Sequence, residues 1–308
     1  MLFRSGYRLE VANRLFGQAG IPWAAGFLAV CEEDWHAPME ELDFAADPEG
    51  ARDTINGWVS DRTEGRIPDL LPAGVVTGDT RLVLANAIYF LADWWTRFDE
   101  KETYKGDFHR LDGSRVQADL MQLDLAEVED HRVRARSDGE VTAVRLPYED
   151  DEVSAYVLIP EERDGLPALE ARLDSGTFDD LIAGLEAGAY LDEGVVVLPK
   201  FEIRWKASLV PALRTLGVTD LFDGLLADLS PMADDGAADG FYVAEVLHEA
   251  WVRVDEAGTE AAAATAVIVN DTSAGFSMVA DHPFLLVIRD DLTGSVLFVA
   301  RVTDPTAE

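Results

Sequence analysis

Residues 256–265, EAGTEAAAAT, satisfy two secondary structures at once, and no other segment of the chain is so restrictive. By propensity the run is helical, because alanine is the best helix former and a poor strand former. By position it prolongs a strand-like run, AWVRVD at 250–255, in which Val252 and Val254 alternate with Trp251, Arg253 and Asp255. Carried onward, the alternation puts Thr259, Ala261, Ala263 and Thr265 on an inward face. Glu260, Ala262, Ala264 and Ala266 fall on the outward one. With no bulky side chain, the segment can sit as an exposed loop or helical turn, or slide as a slim strand into a tight slot.

The rest of the chain supplies sheets for such a strand. Residues 7–18 and 39–44 read as strands, and 23–35 as a helix carrying the single cysteine, Cys31, as a buried apolar thiol. Asp47-Pro48 opens a further helix, with aspartate as cap and proline at the first helical position. The run at 80–90 is almost continuously apolar, which predicts a strand covered on both faces. Asp112-Gly113 and Asp138-Gly139 mark hairpins within 107–122 and 131–148. A buried strand at 153–160, helices at 166–173 and 177–187, a single strand VVVLPKFEIRW and a helix ending at Gly217 follow. Strands and helices mix without βαβ regularity, and no linker divides them. The expectation is an α+β fold, one domain over 1–308, with a large mixed or antiparallel sheet.

Composition narrows function by exclusion. With 25 basic and 59 acidic residues the net charge is −34, which makes nucleic acid and anionic membrane poor partners. Lysine occurs only at 101, 105, 200 and 206. An acidic, lysine-poor surface suits concentrated salt, where the Debye length falls to ~3 Å; the expectation is a halophilic source, prokaryotic and haloarchaeal, with a merely acidic soluble protein as the alternative. One cysteine allows neither an intramolecular disulfide nor a multi-cysteine metal site. The histidines at 36, 109, 131, 248 and 282 lack metal-ligand spacing, and EDDE at 149–152 reads as a solvated hairpin tip. HExxH, GxSxG, Walker A, GxGxxG and CxxC are absent from the sequence. No catalytic residue, metal or cofactor is expected. No signal peptide and no transmembrane run is visible.

Four blocks together resemble the serpin family, in its order and over most of the chain. They are NAIYFLADWW (86–95), LPKFEI (198–203), the EAGTEAAAAT segment and DHPFLLVIRDDLTGSVLFVARVTDP (281–305). The resemblance implies three β-sheets with surrounding helices and an exposed reactive-centre loop. It implies a monomeric serine-protease inhibitor, consumed as a suicide substrate and extracellular by family habit. EAGTEAAAAT would be the hinge: Glu256, Gly258, Thr259, Glu260, Ala261, Ala262, Ala263, Ala264 and Thr265. Small side chains there speed insertion between strands, a charge at Thr259 would oppose it, and Gly258 suits a pivot. Family spacing from Gly258 places the reactive bond at Thr272–Ser273, with Asp271 or Ala274 as neighbouring alternatives. A small residue there fits elastase-like or subtilisin-like serine proteases better than trypsin-like ones.

Four more residues, with Glu256 of the hinge, match family positions that control opening of the main sheet. Asn86 and His248 resemble a buried polar pair where strands part, Lys200 and Glu256 a salt bridge where the loop enters, and Trp94 a packed aromatic beside it. The chain also departs from the pattern. Only six residues precede the first strand, so the resemblance implies that helices bracing the main sheet, and the serine partner of Asn86, are missing. A non-inhibitory binding or chaperone-like member, or an inert fragment, are the alternative readings. The clean hinge argues against the first, because non-inhibitory members often carry bulky or charged residues there.

Overall fold

A computed structural model describes residues 2–4, 7–259 and 276–307. The chain opens with strands β1 (Leu2–Arg4), β2 (Tyr7–Gln18), β3 (Met39–Leu42) and β4 (Leu82–Asp93). Then come β5 (Tyr104–His109), β6 (Arg115–Asp124), β7 (Arg134–Ser137), β8 (Val141–Pro147), β9 (Val153–Pro160) and β10 (Gly194–Pro199). It closes with β11 (Phe201–Ser208), β12 (Leu247–Val254), β13 (Gly258–Thr259), β14 (Phe276–Val279), β15 (Phe284–Asp290) and β16 (Val296–Val302). They form three sheets. The largest runs β1-β2-β4-β12-β11, with β3 on β2 and β13 on β4; the others run β14-β10-β6-β5 and β16-β15-β9-β8-β7. With helices α1 (Ala25–Ala29), α2 (Pro48–Arg62), α3 (Leu166–Arg172), α4 (Ser175–Glu186) and α5 (Val210–Thr215), this is the expected α+β architecture. No helix among the described residues is long and apolar enough to cross a membrane.

The described residues group into two compact units. The first holds residues 9–89 and 204–251. Asp47 caps α2 there, its Oδ1 accepting from the Gly50 N–H at 2.9 Å, with Pro48 at the first position. Phe16, Ile55, Val59, Ile67 and Leu70 are fully buried, and Phe16 meets Trp58 edge-on. α1 is shorter than predicted and passes into a π turn over Val30–Asp34. Cys31 is buried there against Leu15 and Ala37, and burial raises its thiol pKa. The expectation that 80–90 is covered on both faces fails at Leu84, which is 45% exposed.

The second unit holds the described parts of 2–8, 90–203 and 252–307. Its five-stranded sheet is wholly antiparallel, and every residue of β8 and β9 is buried. Leu166, Leu169, Ile182 and Leu185 from α3 and α4 pack on Val141, Ala143, Tyr156 and Leu158, which covers one of the two faces. Both predicted hairpins form, with Gly113 and Gly139 at positive φ of 80° and 87°. Two expectations are corrected. VVVLPKFEIRW is two strands in two sheets, β10 and β11, broken at Lys200. The 149–152 tip is not freely solvated: Asp151 is held by Arg145 Nη2 at 2.7 Å and Arg132 Nη1 at 3.0 Å.

Candidate hinge and sheet-control site

β12 runs parallel to β4, with four paired positions, from His248 opposite Asn86 to Trp251 opposite Tyr89. The Asn86–His248 pair predicted from sequence is therefore a cross-strand pair closing one end of the ladder. His248 Nδ1 lies 2.6 Å from Asn86 Oδ1, and Asn86 Nδ2 donates to Asn13 Oδ1 at 2.6 Å. The amide orientation assigns the proton to His248 Nδ1, so the neutral ring donates. Burial holds that imidazole below its ordinary pKa, favouring the neutral form. Asn13, on β2, accepts the Asn86 amide proton. Nothing in the sequence singles it out: VANRLF carries two adjacent polar residues, Asn13 and Arg14. Next to His248, the buried Glu249 sits 3.6 Å from Lys206 Nζ and 3.9 Å from Arg204 Nη1. Burial raises its carboxyl pKa against the pull of both cations.

After Val254 the chain does not continue the alternation straight ahead. It turns at 255–257, with the Asp255 N–H bonded to Gly258 O at 2.9 Å and the Ala257 N–H to Asp255 Oδ1 at 3.0 Å. It returns as β13, antiparallel to β4, with Gly258 opposite Asp93 and Thr259 opposite Ala92. Gly258 is needed for a reason other than a pivot's backbone freedom: its φ is not in the left-handed region. A Cβ there would lie 2.0 Å from Ala92 O and 2.7 Å from Asp93 Cα, so only glycine permits this approach. The predicted hinge residues Glu260, Ala261, Ala262, Ala263, Ala264 and Thr265, and the predicted reactive bond Thr272–Ser273, lie outside the described residues.

The turn is held by the predicted Lys200, Glu256 and Trp94, and here the structure brings all three together. Lys200 Nζ lies 2.7 Å from Glu256 Oε2, and Thr103 Oγ1 donates to Glu256 Oε1 at 2.7 Å. Burial would push the Glu256 carboxyl up, but the Lys200 ammonium and the Thr103 hydroxyl outweigh it and hold the pKa below its ordinary value. Trp94 donates from Nε1 to Asp255 O at 2.9 Å and from its backbone N–H to Ala257 O at 2.9 Å. Its ring stacks on Tyr148 at 4.6 Å and 7°. The Phe98 N–H bonds Glu256 O at 2.9 Å. Sequence reasoning missed Thr103 and Asp255; each is an ordinary polar residue in sequence and meets its partners only through tertiary contact.

Known proteins share this fold. The family model described as serpin, serine protease inhibitor, matches residues 2–305. The chain is a serpin. It is 37% identical over 98% of its length to 75% of Serpin-Z7 from Hordeum vulgare. It is 36% identical over 98% of its length to 79% of the leukocyte elastase inhibitor of Homo sapiens. The solved structure of Arabidopsis AtSerpin1 in its native stressed conformation matches at a TM-score of 0.80 and 30% identity, covering 98% of this chain and 77% of that one. Serpins are protease inhibitors rather than enzymes.

Proposed function

We propose that this serpin inhibits a serine protease as a suicide substrate. The protease cuts at Thr272–Ser273, is trapped as an acyl-enzyme, and is carried off as the cut loop inserts into the main sheet. One observation carries this reading: the hinge already pairs with β4, antiparallel, at Gly258–Asp93 and Thr259–Ala92. Each residue further along the hinge steps one residue back along β4. In that register Thr265 arrives opposite Asn86, and Ala262 to Thr265 lie against the positions now paired with Trp251 to His248. Insertion to that depth must exchange the β4–β12 ladder for a new antiparallel one, so Asn86–His248 acts as the last catch to open. The likeness to a serpin in a native stressed conformation supports a starting state held kinetically above a more stable one.

A small residue at Thr272 and the likeness to an elastase inhibitor support a protease with a shallow primary pocket, elastase-like or subtilisin-like. Incubation with subtilisin, followed by a denaturing gel, tests this. The expected result is a covalent complex together with a released peptide beginning at Ser273; complete cleavage with no complex contradicts the inhibitory reading.

The charge of −34 supports adaptation to concentrated salt. The relatives named above are from a plant and a human, so this part rests on composition alone. The melting temperature should climb across a salt series, and greatest stability in dilute buffer would count against it.

A further inference from the structure

The unit containing β2, α2 and the start of β12 has a cavity of about 350 Å³, in the size range of small-molecule sites. Its wall is mainly apolar, including Leu71, Val76, Leu82, Leu229, Met232 and Phe241. Its position in the topology explains why it is open. The β4–β12 pairing starts at Asn86 and His248, whereas the wall uses Leu82–Leu84 of β4 and residues 240–247 that lead into β12. The two segments flank a space before they meet. Leu71 is fixed in that wall by Asn56, whose side chain donates to Leu71 O at 3.0 Å and accepts from its N–H at 2.8 Å.

Among the described residues lining the cavity, Arg81 is the one cation. Its Nη1 donates to Gly78 O and Thr80 O, each at 2.9 Å, and among the described residues it makes no ion pair. That is unexpected in a chain with 59 acids against 25 bases. The two backbone bonds leave the other donors of the guanidinium fork for a ligand. Two carboxylates share the lining. Glu245 accepts from the Ser208 hydroxyl and the Val246 N–H, and Asp79 is exposed. Their negative charge disfavours a dianionic head in this cavity and favours a singly charged one at Arg81.

We propose that this cavity binds a small anionic amphiphile, an alkyl chain with a carboxylate head, its tail against the apolar wall and its head on Arg81. A cavity of this size takes an alkyl chain of medium length. Decanoate is therefore the probe, with decanol as its uncharged counterpart, titrated calorimetrically into the intact protein below the micellar concentration. The expected result is one saturable site per chain for decanoate. Arg81→Gln weakens decanoate at least about tenfold and leaves decanol unchanged. Ala244→Trp plugs the cavity and abolishes binding of both; Leu84→Trp, at an exposed position in the same wall, serves where the first plug does not fold. The proposal is overturned if decanoate shows no one-to-one saturation, if neither folded plug reduces binding, or if Arg81→Gln affects decanol and decanoate equally. No protease is present, so the outcome is independent of whether the chain inhibits one.

Discussion

Two buried ionic clusters in the same unit use similar chemistry with opposite redundancy. In the five-stranded sheet, Arg145 is almost fully buried and bonds Asp151 at 2.7 Å and Asp291 at 2.9 Å. Asp291 also accepts from Ser154 Oγ and Tyr156 OH, each at 2.6 Å, and pairs with Arg289 at 3.2 Å. At the hinge, Glu256 has one ammonium and one hydroxyl, from Lys200 and Thr103. The first cluster has several partners for each charge and ties four chain segments together. The second has a single ion pair, with Lys200 still 24% exposed. A charge held many times over stays buried, while one held by a single flexible lysine can be released when the turn moves. The comparison separates a cluster in which each charge has several partners from one that rests on a single ion pair.

The comparison breaks first at Asp291. Asp291→Ala leaves Arg145 short of one of its two carboxylates and strips two hydroxyls of their acceptor, and should lower stability by about 3–5 kcal/mol in chemical denaturation. A loss under 1 kcal/mol would mean the cluster is decorative. Glu256→Gln should cost less, about 1–3 kcal/mol, because Lys200 can reach water. Its larger effect should be kinetic: faster loss of inhibitory activity and earlier appearance of polymers on native gels during mild heating. Unchanged polymerisation would remove the hinge pair from any gating role. Thr259→Arg should leave the stability of the uncut chain largely unchanged, because only the two-residue strand β13 holds this position. It should nevertheless convert inhibitor into substrate, seen as cleavage without complex.

Acid and alkali should sharpen the same contrast. The Glu256 carboxyl is held below its ordinary pKa, so its contribution is complete above that ordinary value and is lost as pH falls through the folded one. The Tyr156 hydroxyl, raised by burial and by its bond to Asp291, behaves oppositely. Its contribution is complete below the ordinary value of about 10 and disappears as pH rises past it. Hydrogen exchange should accordingly rise first at Phe98–Thr103 in acid and first at Val153–Pro160 in alkali. The reverse order would contradict both assignments.

Local patterns made much of this legible in sequence. The period-two runs and Asp-Gly turns of β5 through β9 set strands and hairpins that need no distant information. The Asp47-Pro48 start of α2 is equally local. The break at Lys200 was not legible, because VVVLPKFEIRW keeps its apolar alternation straight through it. What divides it is the pairing of its halves in different sheets, with Lys200 turned to Glu256. Gly258 was identified as part of the hinge, but its reason, the approach of Ala92 O, depends on a strand far away in sequence. Asn13 and Thr103 carry no signal of their own; they matter because Asn86 and Glu256 are brought to them.

The proposed mechanism requires residues 260–265 to add as a strand along β4 after cleavage. Comparing thermal unfolding of the intact chain and the chain cut at Thr272–Ser273 tests this directly. Each added ladder hydrogen bond contributes about 0.5–1.5 kcal/mol, so several together should raise the melting temperature by at least about 10 °C. A cut chain that melts at or below the temperature of the intact one would contradict the account.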